Sequence, residues 1–444
     1  MHVVVREYAR LTTAPVETPS LDEARISGTA FDWLCRESAR LRGSGASLVQ
    51  VDDRRWLRLD NYVGVIETPC GSRIEILPKC SQDAEDLRRS RRLLRRMLAT
   101  CLDLPTRESA PTDIETFDAP LTEWVMRQFL QSLDALVKRG LRFGYHAVQE
   151  QQRFLRGRLE VAKQLREPPA RRHLFHIEHD VFDADRPENR LLRLALARVC
   201  NTTRDAINWR LSHELATLLA ASPSSTDVAG DFRRWRHDRL LAHYRSVRPW
   251  CALILNEESP LSVHGAWHGI SLLFPMEQVF ERYVGACLRR TLRADAVLKA
   301  TASTEHLVSC HCESPMFQLK PDFLLRLGSD AWVLDTKWKL LDQEKAGGRD
   351  KYGLAQSDFY QMFAYGHRYL AGRGDMYLVF PATRDFNAAL PVFEFSDDLH
   401  LWVIPFDLDN GVLLDGQAKP TSAWREGVAS AHRIRETIQL HRAL

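Results

Sequence analysis

No stretch of the 444 residues approaches the eighteen or so consecutive apolar residues of a membrane span, so the sequence gives no reason to expect membrane association. The opening Met1-His-Val-Val-Val-Arg-Glu7 lacks the charged, apolar and small-residue sections of a secretory signal and reads as a strand. A Gly-x-x-x-x-Gly-Lys-Ser/Thr phosphate loop is also missing, so these residues have no evident means of hydrolysing GTP or ATP themselves. Nor is there a recognisable base-flipping or methyl-reading pocket, an internal repeat or a low-complexity tract. Cysteine is scarce: nine residues, an odd count without regular spacing, point to reduced thiols in a cytoplasm rather than a disulfide framework. A strong charge of one sign is lacking too. The net charge of +3 excludes a wholesale polyanion binder, and with only ten lysines among 61 basic residues the positive charge is mostly arginine.

The chain is long enough for two or three domains with sizeable cores. Residues 1–110 mix short strands (48–51, Trp56–Leu59, 62–68, Arg73–Leu77) with a helix carrying Arg88, Arg89, Arg91, Arg92, Arg95 and Arg96. The inner face of that helix is Leu87, Leu94, Met97, Leu98 and Cys101. Its arginines suit a solvated face, or a DNA or partner surface, and Arg153, Arg156 and Arg158 form a second candidate contact. The polar stretch 105–120 reads as a linker. Residues 111–256 read as mainly helical: Leu121–Arg139 closed by Gly140, one helix over 187–219 and another over 233–254. Residues 257–444 alternate strands and helices, with strands at 376–380 and 401–405 completing a mixed sheet. The expected class is therefore a multidomain α+β and α/β chain.

Chemistry concentrates in this last region. The run 316–327 is strand-like, as is 331–338, and Gly328-Ser329-Asp330 between them reads as a turn. A hairpin there brings Asp322 alongside Asp335, thirteen residues later, and the two-residue period of a strand points Asp335 and Lys337 the same way. An acid-x-Lys triplet alone is weak, since scattering ten lysines behind fifty-eight acids gives about 1.3 by chance. The companions strengthen it. Asp335 follows Trp332-Val333-Leu334, and Asp322 precedes Phe323-Leu324-Leu325, so both carboxylates lie in apolar strands where an unpaired charge is expensive. Two carboxylates and an ammonium at one point suit phosphodiester hydrolysis with a divalent cation.

Two helices flank these strands. Ser357 reads as the N-cap of a helix that sets Gln361 and Tyr365 one turn apart on one face, where they could reach a DNA backbone or an attacking water. Upstream, a helix beginning near Pro275 carries Glu277 and Glu281 beside the apolar stripe Met276, Val279, Phe280, Tyr283, Val284, Cys287 and Leu288. Either glutamate could add an acid to the site. His306, Cys310, His311 and Cys312 form a weak zinc signal without a second Cys pair, and read better as thiols packed in or near the first strand of this sheet.

The order helix with Glu281, strand with Asp322, strand with Asp335-Thr-Lys337 and helix with Gln361-x-x-x-Tyr365 resembles the PD-(D/E)xK nuclease superfamily, and its last element is similar to the RecB-like branch. Phe274-Pro-Met-Glu-Gln-Val-Phe-Glu281, Lys320-Pro-Asp-Phe, Leu334-Asp-Thr-Lys-Trp-Lys339 and Ser357-Asp-Phe-Tyr-Gln-Met-Phe-Ala-Tyr365 resemble the McrC family more closely. Glu7-Tyr8, Tyr62-Val-Gly-Val-Ile66, Ile74-Glu-Ile-Leu-Pro-Lys79 and Leu155-Arg-Gly-Arg158 extend the likeness over nearly the whole chain.

That resemblance implies a β-rich N-terminal domain, a helical middle and a C-terminal nuclease whose mixed sheet is flanked by helices. It implies Mg²⁺ or Mn²⁺ held by Asp322, Asp335 and the carbonyl of Thr336, with Glu281, Lys337, Gln361 and Tyr365 completing the catalytic set. It further implies a McrB-like AAA+ GTPase ring as partner, stimulated by the N-terminal half and reading modified cytosine in double-stranded DNA. The alternatives are a free-standing RecB-like nuclease of repair or recombination, and a non-enzymatic bridging subunit. The intact Asp322, Asp335 and Lys337 speak against the second.

Overall fold

The computed structural model describes residues 1–17, 20–42, 48–53, 55–79, 87–102, 104, 120–235, 239–255, 271–347 and 350–414. Residues 105–119 of the expected linker 105–120, and the expected boundary near 256, lie outside the described residues.

The chain begins with alternation. His2–Arg6 buries Val3 and Val5 and pairs in parallel with Arg73–Leu77, which runs antiparallel to Tyr62–Glu67. The fourth strand of this sheet comes from far along the chain: Leu272–Pro275 pairs antiparallel with Tyr62–Glu67. Gly64 permits that pairing. Its φ is +133°, and a Cβ there would lie 1.8 Å from the Leu272 carbonyl oxygen. A second small sheet, ordered Glu23–Arg25, Arg10–Thr12, Trp56–Leu59, Val49–Asp53, packs with the helix Gly28–Arg42 over a core that joins Leu11, Leu57, Trp33 and Leu34 to Val3, Val5, Ile66 and Ile76 of the first sheet.

The arginine-rich helix runs Leu87–Cys101 and buries Leu93, Leu94, Met97 and Leu98, much as its pattern suggests. Its arginines are not all on a solvated face. Arg91 and Arg95 are buried, and Arg91 donates from Nη2 to Glu75 Oε2 at 2.6 Å, so part of the charge run is an internal ion pair.

The middle region, expected to be mainly helical, differs from the expected pattern in three ways. First, Gly144–Gln152, Phe175–Asp183 and Arg158–Leu159 form an antiparallel sheet. Second, the expected helix over 187–219 is two, Pro187–Thr202 and Ala206–Leu218. Asp205 restarts the second by accepting from the amides of Ile207 and Asn208, satisfying donors that a helix start leaves unpaired. Third, 233–254 is split among Val228–Arg234, a 3-10 turn at Arg239–Tyr244 and Arg248–Leu255. Pro249 lies in the first turn of the last piece, where the missing amide costs nothing. Leu121–Arg139 ends before Gly140 as expected.

The C-terminal region holds a seven-stranded mixed sheet. Its order is Ala296–Ala300, Phe323–Leu327, Asp330–Thr336, Gly374–Pro381, Leu399–Asp407 and Phe393–Ser396, with Val412–Leu413 pairing Leu399–Asp407. Both faces are buried. Phe323, Leu325, Trp332, Leu334, Tyr377 and Val379 pack in the cluster that includes the helix Met276–Thr291. Leu324, Val333, Met376, Leu378 and Val403 pack in the one that includes Met362 and Tyr365 of the helix Gln356–Tyr369. Near-continuous apolar runs are what such a two-sided strand requires. The expected strand over 316–327 is broken: Ser314–Gln318 pairs instead with His306–His311 in a separate ribbon. Cys310 and Cys312 are therefore exposed rather than packed in the sheet. Among the described residues no helix is long and apolar enough to cross a membrane.

Candidate active site

The hairpin forms as its arithmetic predicts. Phe323 pairs with Leu334 and Leu327 with Asp330, so the register continued one step sets Asp322 opposite Asp335. Asp335 sits at the end of a strand paired on both sides and is 1% exposed. Asp322 is fixed by Thr336, whose amide and hydroxyl both donate to its Oδ2, at 2.7 and 2.6 Å.

Lys337 follows one residue on. Its Nζ lies 2.7 Å from Asp335 Oδ2, so the ammonium is ion-paired with this buried carboxylate. The same Nζ donates to Gln361 Oε1 at 3.2 Å; Gln361 Nε2 donates to the Tyr365 hydroxyl at 2.6 Å, and Tyr365 donates to the Lys320 carbonyl at 3.0 Å. The Gln361 and Tyr365 pair thus forms a brace that orients Lys337 and ties the helix to the loop before Asp322. That helix runs Gln356–Tyr369 with Ala355, not Ser357, at its N-cap; Ser357 lies exposed in its first turn.

Crowding of negative charge in a dry place sets the electrostatics. Burial, and next the charge of Asp322, push Asp335 up to about 7, against the pull of Lys337. Asp322 is also raised by burial, although its hydrogen bonds from Thr336 oppose the rise. Glu281 is pushed up to about 7 by burial first, then by the charges of Asp322 and Asp335. For Lys337 burial acts downward, but Asp335 and Asp322 outweigh it and hold the ammonium charged. Tyr365 is raised to about 12, chiefly by burial, and stays a neutral phenol. Three buried or half-buried carboxyl groups raised together, with one lysine among them, are short of positive charge.

Among the described residues no three His, Cys, Asp or Glu side chains are spaced to share one ion. Two carboxylates with a main-chain carbonyl do suit a hard cation that takes its remaining ligands from water or a phosphate. Asp322, Asp335 and Thr336 form such a set, and the crowding of buried and half-buried carboxylates that raises Asp322, Asp335 and Glu281 together is the observation that favours it. Of the two helix acids, Glu281 is the one whose acidity responds to both aspartates; Glu277 is exposed and borders a neighbouring cleft.

One residue with no role assigned from its type stands close by. Glu7 is fully buried; its Oε1 accepts from Trp338 Nε1 at 2.6 Å and from the Lys79 amide at 2.7 Å, linking the first sheet to the residue after Lys337. A signal existed in the sequence, because strand alternation puts Glu7 on the inward face with Val3 and Val5.

Residues 57–381 match the family described as McrBC 5-methylcytosine restriction system component. The match spans most of the chain, and the chain belongs to that family. In fold it is similar to a chain of the refined half-complex from the tetradecameric assembly of Thermococcus gammatolerans McrB AAA+ hexamers with bound McrC. The two share 19% identity and a TM-score of 0.68, over 92% of this chain and 95% of that one. A chain in the Thermococcus gammatolerans McrBC complex aligns over 64% of this chain and 86% of its own length, with 18% identity and a TM-score of 0.48. No curated protein matches the sequence at a significant level.

Proposed function

We propose that this chain is the McrC-like, DNA-cleaving subunit of a McrBC restriction system. Membership of the family makes it a component of such a system. The lack of a phosphate loop in these 444 residues favours the subunit that cuts over the one that hydrolyses nucleotide. On this reading the partner is a McrB-like AAA+ GTPase ring and the substrate is double-stranded DNA carrying modified cytosine. The observation that carries the nuclease assignment is the convergence of Asp322, Asp335 and Lys337 at one end of a buried hairpin, with Thr336 locking the first and the Gln361–Tyr365 brace locking the last.

The residues divide the work by chemistry. Asp322 and Asp335, with the Thr336 carbonyl, would hold Mg²⁺ or Mn²⁺, and Glu281 would join through water. When bound, the cation polarises the scissile phosphate and lowers the pKa of the attacking water. Lys337 stays protonated and offsets the negative charge that grows on the phosphoryl oxygens; its brace fixes the ammonium before the substrate arrives, so little reorganisation is left for the reaction. Burial of Asp335 keeps bulk water out and strengthens these interactions.

For the partner, the exposed sheet of the middle region offers a surface. Tyr145, Phe154, Leu155, Leu165 and Phe182 are all more than half exposed there, beside Arg153, Arg156 and Arg158. Bulky apolar side chains left in water between arginines suit a contact with another protein.

The test is Asp335→Ala in the full-length chain, assayed with its ring partner, GTP, magnesium and methylated DNA. Loss of a metal carboxylate should lower cleavage by about 10³-fold or more, a barrier increase of roughly 4 kcal/mol. A soluble, folded variant that still cuts substantially would show the site to lie elsewhere. Efficient cutting of unmodified DNA by the wild-type chain alone would favour the free-standing nuclease instead.

A further inference from the structure

A cleft of about 610 Å³ opens beside the catalytic cluster, between the N-terminal strands and the loop that follows Lys337. Its walls come from two regions of the chain: Arg58, Tyr8 and Lys79 on one side, Lys337 and Lys339 on the other. Four cations face it. Glu277 and Asp358 also border it, so the cleft is not simply a basic patch. Among the described residues neither the Lys79 nor the Lys339 ammonium makes a hydrogen bond or a contact ion pair, although the Lys79 charge is felt by Glu7 and Asp22.

The spacing of the walls is held by a buried group. Glu7 lies beneath the cleft and accepts from the Lys79 main chain on one wall and from the Trp338 indole on the other. Its second oxygen, Oε2, is buried without a partner. Tyr8, the next residue, takes φ +64°, a conformation uncommon outside glycine. The Arg58 guanidinium carbon lies 5.9 Å from the centre of the Tyr8 ring. Such strain persists only where the surroundings impose it, and here it turns the aromatic side chain toward the arginine at the cleft rim.

We propose that this cleft binds a backbone phosphate of the DNA strand next to the scissile one, with Arg58 and Lys79 of the N-terminal region and Lys339 as its cations. The inference rests on the nuclease reading above and deepens it: the DNA-binding surface is composite, and the N-terminal strands supply half of it. Continuity through Lys337 favours DNA over a free acidic peptide. A strand whose phosphodiester reaches Asp322 and Asp335 must carry its neighbouring phosphates past the adjoining cations, and a planar guanidinium with ammonium groups is suited to them.

The experiment measures binding of a short duplex to the full-length chain, with calcium in place of magnesium, across a range of salt. Arg58→Ala/Lys79→Ala should weaken binding about tenfold or more and make the log–log salt slope shallower by about 2, one for each cation withdrawn from a phosphate. Arg58→Lys with Lys79→Arg should keep most of the slope. Should the double alanine variant fold poorly, Lys339→Ala, on an exposed residue, should by itself reduce the slope by about 1. A folded double variant, or a folded Lys339→Ala, with wild-type affinity and slope overturns the proposal. If that result came while Asp335→Ala still abolished cutting, the cleft assignment alone would fall. Retention of cutting by Asp335→Ala would instead remove the nuclease reading on which it rests.

Discussion

Asp335 shows what a buried reactive carboxylate costs. The folded protein raises it to about 7 from an ordinary value near 4, mainly through burial, against the opposing charge of Lys337 at 2.7 Å. The sign of the linkage follows. Between those values the folded state binds more protons than the unfolded one, so this residue's contribution to stability falls as pH rises through the window. Asp335→Asn should therefore stabilise the metal-free protein while removing activity. The gain should be small near pH 4, grow toward pH 7 and level off above it, on the order of 1–3 kcal/mol. Thermal unfolding of both proteins in a chelator over that pH range checks the prediction, and a variant less stable than wild type at pH 8 would refute it. The pair Asp322 and Asp335 was legible in the sequence because a hairpin sets partners by counting outward from its turn. Lys337 followed from the two-residue period. The bridging role of Glu7 escaped, although alternation marks it as inward, because its partners, Lys79 and Trp338, lie 72 and 331 residues away, beyond the reach of local pattern.

Elements with a clear apolar face were legible in the same way. Asp330–Thr336 and Gly374–Pro381 are packed on both faces and read as continuous apolar runs. Gly144–Gln152 gave no such signal: none of its nine residues is buried, so period-two alternation had no apolar partner to reveal it. The break between Pro187–Thr202 and Ala206–Leu218 turns on Asp205, whose side chain offers the backbone an alternative partner that helical periodicity does not report. The strand Leu272–Pro275 joined to Tyr62–Glu67 was likewise hidden by its distance along the chain. That pairing makes a testable demand on Gly64. Gly64→Ala would place a methyl group 1.8 Å from the Leu272 oxygen at a φ unfavourable to alanine. We expect a loss of about 3 kcal/mol or more, read by urea unfolding, because main chain rather than a flexible side chain must move. A loss below about 0.5 kcal/mol, the range of neutral surface changes, would show that the two strands do not pack this closely.

At the scale of the whole molecule, the first sheet, the arginine-rich helix and the seven-stranded sheet share one apolar core through Met276–Thr291. Glu7 adds a polar link between the first sheet and the segment carrying Lys337. Contacts of this kind give events at the N-terminal strands a physical route to Lys337, provided that those strands differ between two states of the complex. On the proposed reading two activities separate within one folded chain: engagement of the ring, which leaves Asp322, Asp335 and Lys337 untouched, and cleavage, which needs all three. The most direct measurement follows GTP turnover by the cognate ring and double-strand cutting of methylated DNA in the same reaction, with full-length Lys337→Ala replacing the wild-type chain. Turnover should be stimulated as by wild type, while cutting should fall about 10²-fold or more, the range for removing a group that stabilises transition-state charge. Cutting at the wild-type rate by the folded variant, with turnover equally stimulated, would contradict the assignment of Lys337 and of the site built around it.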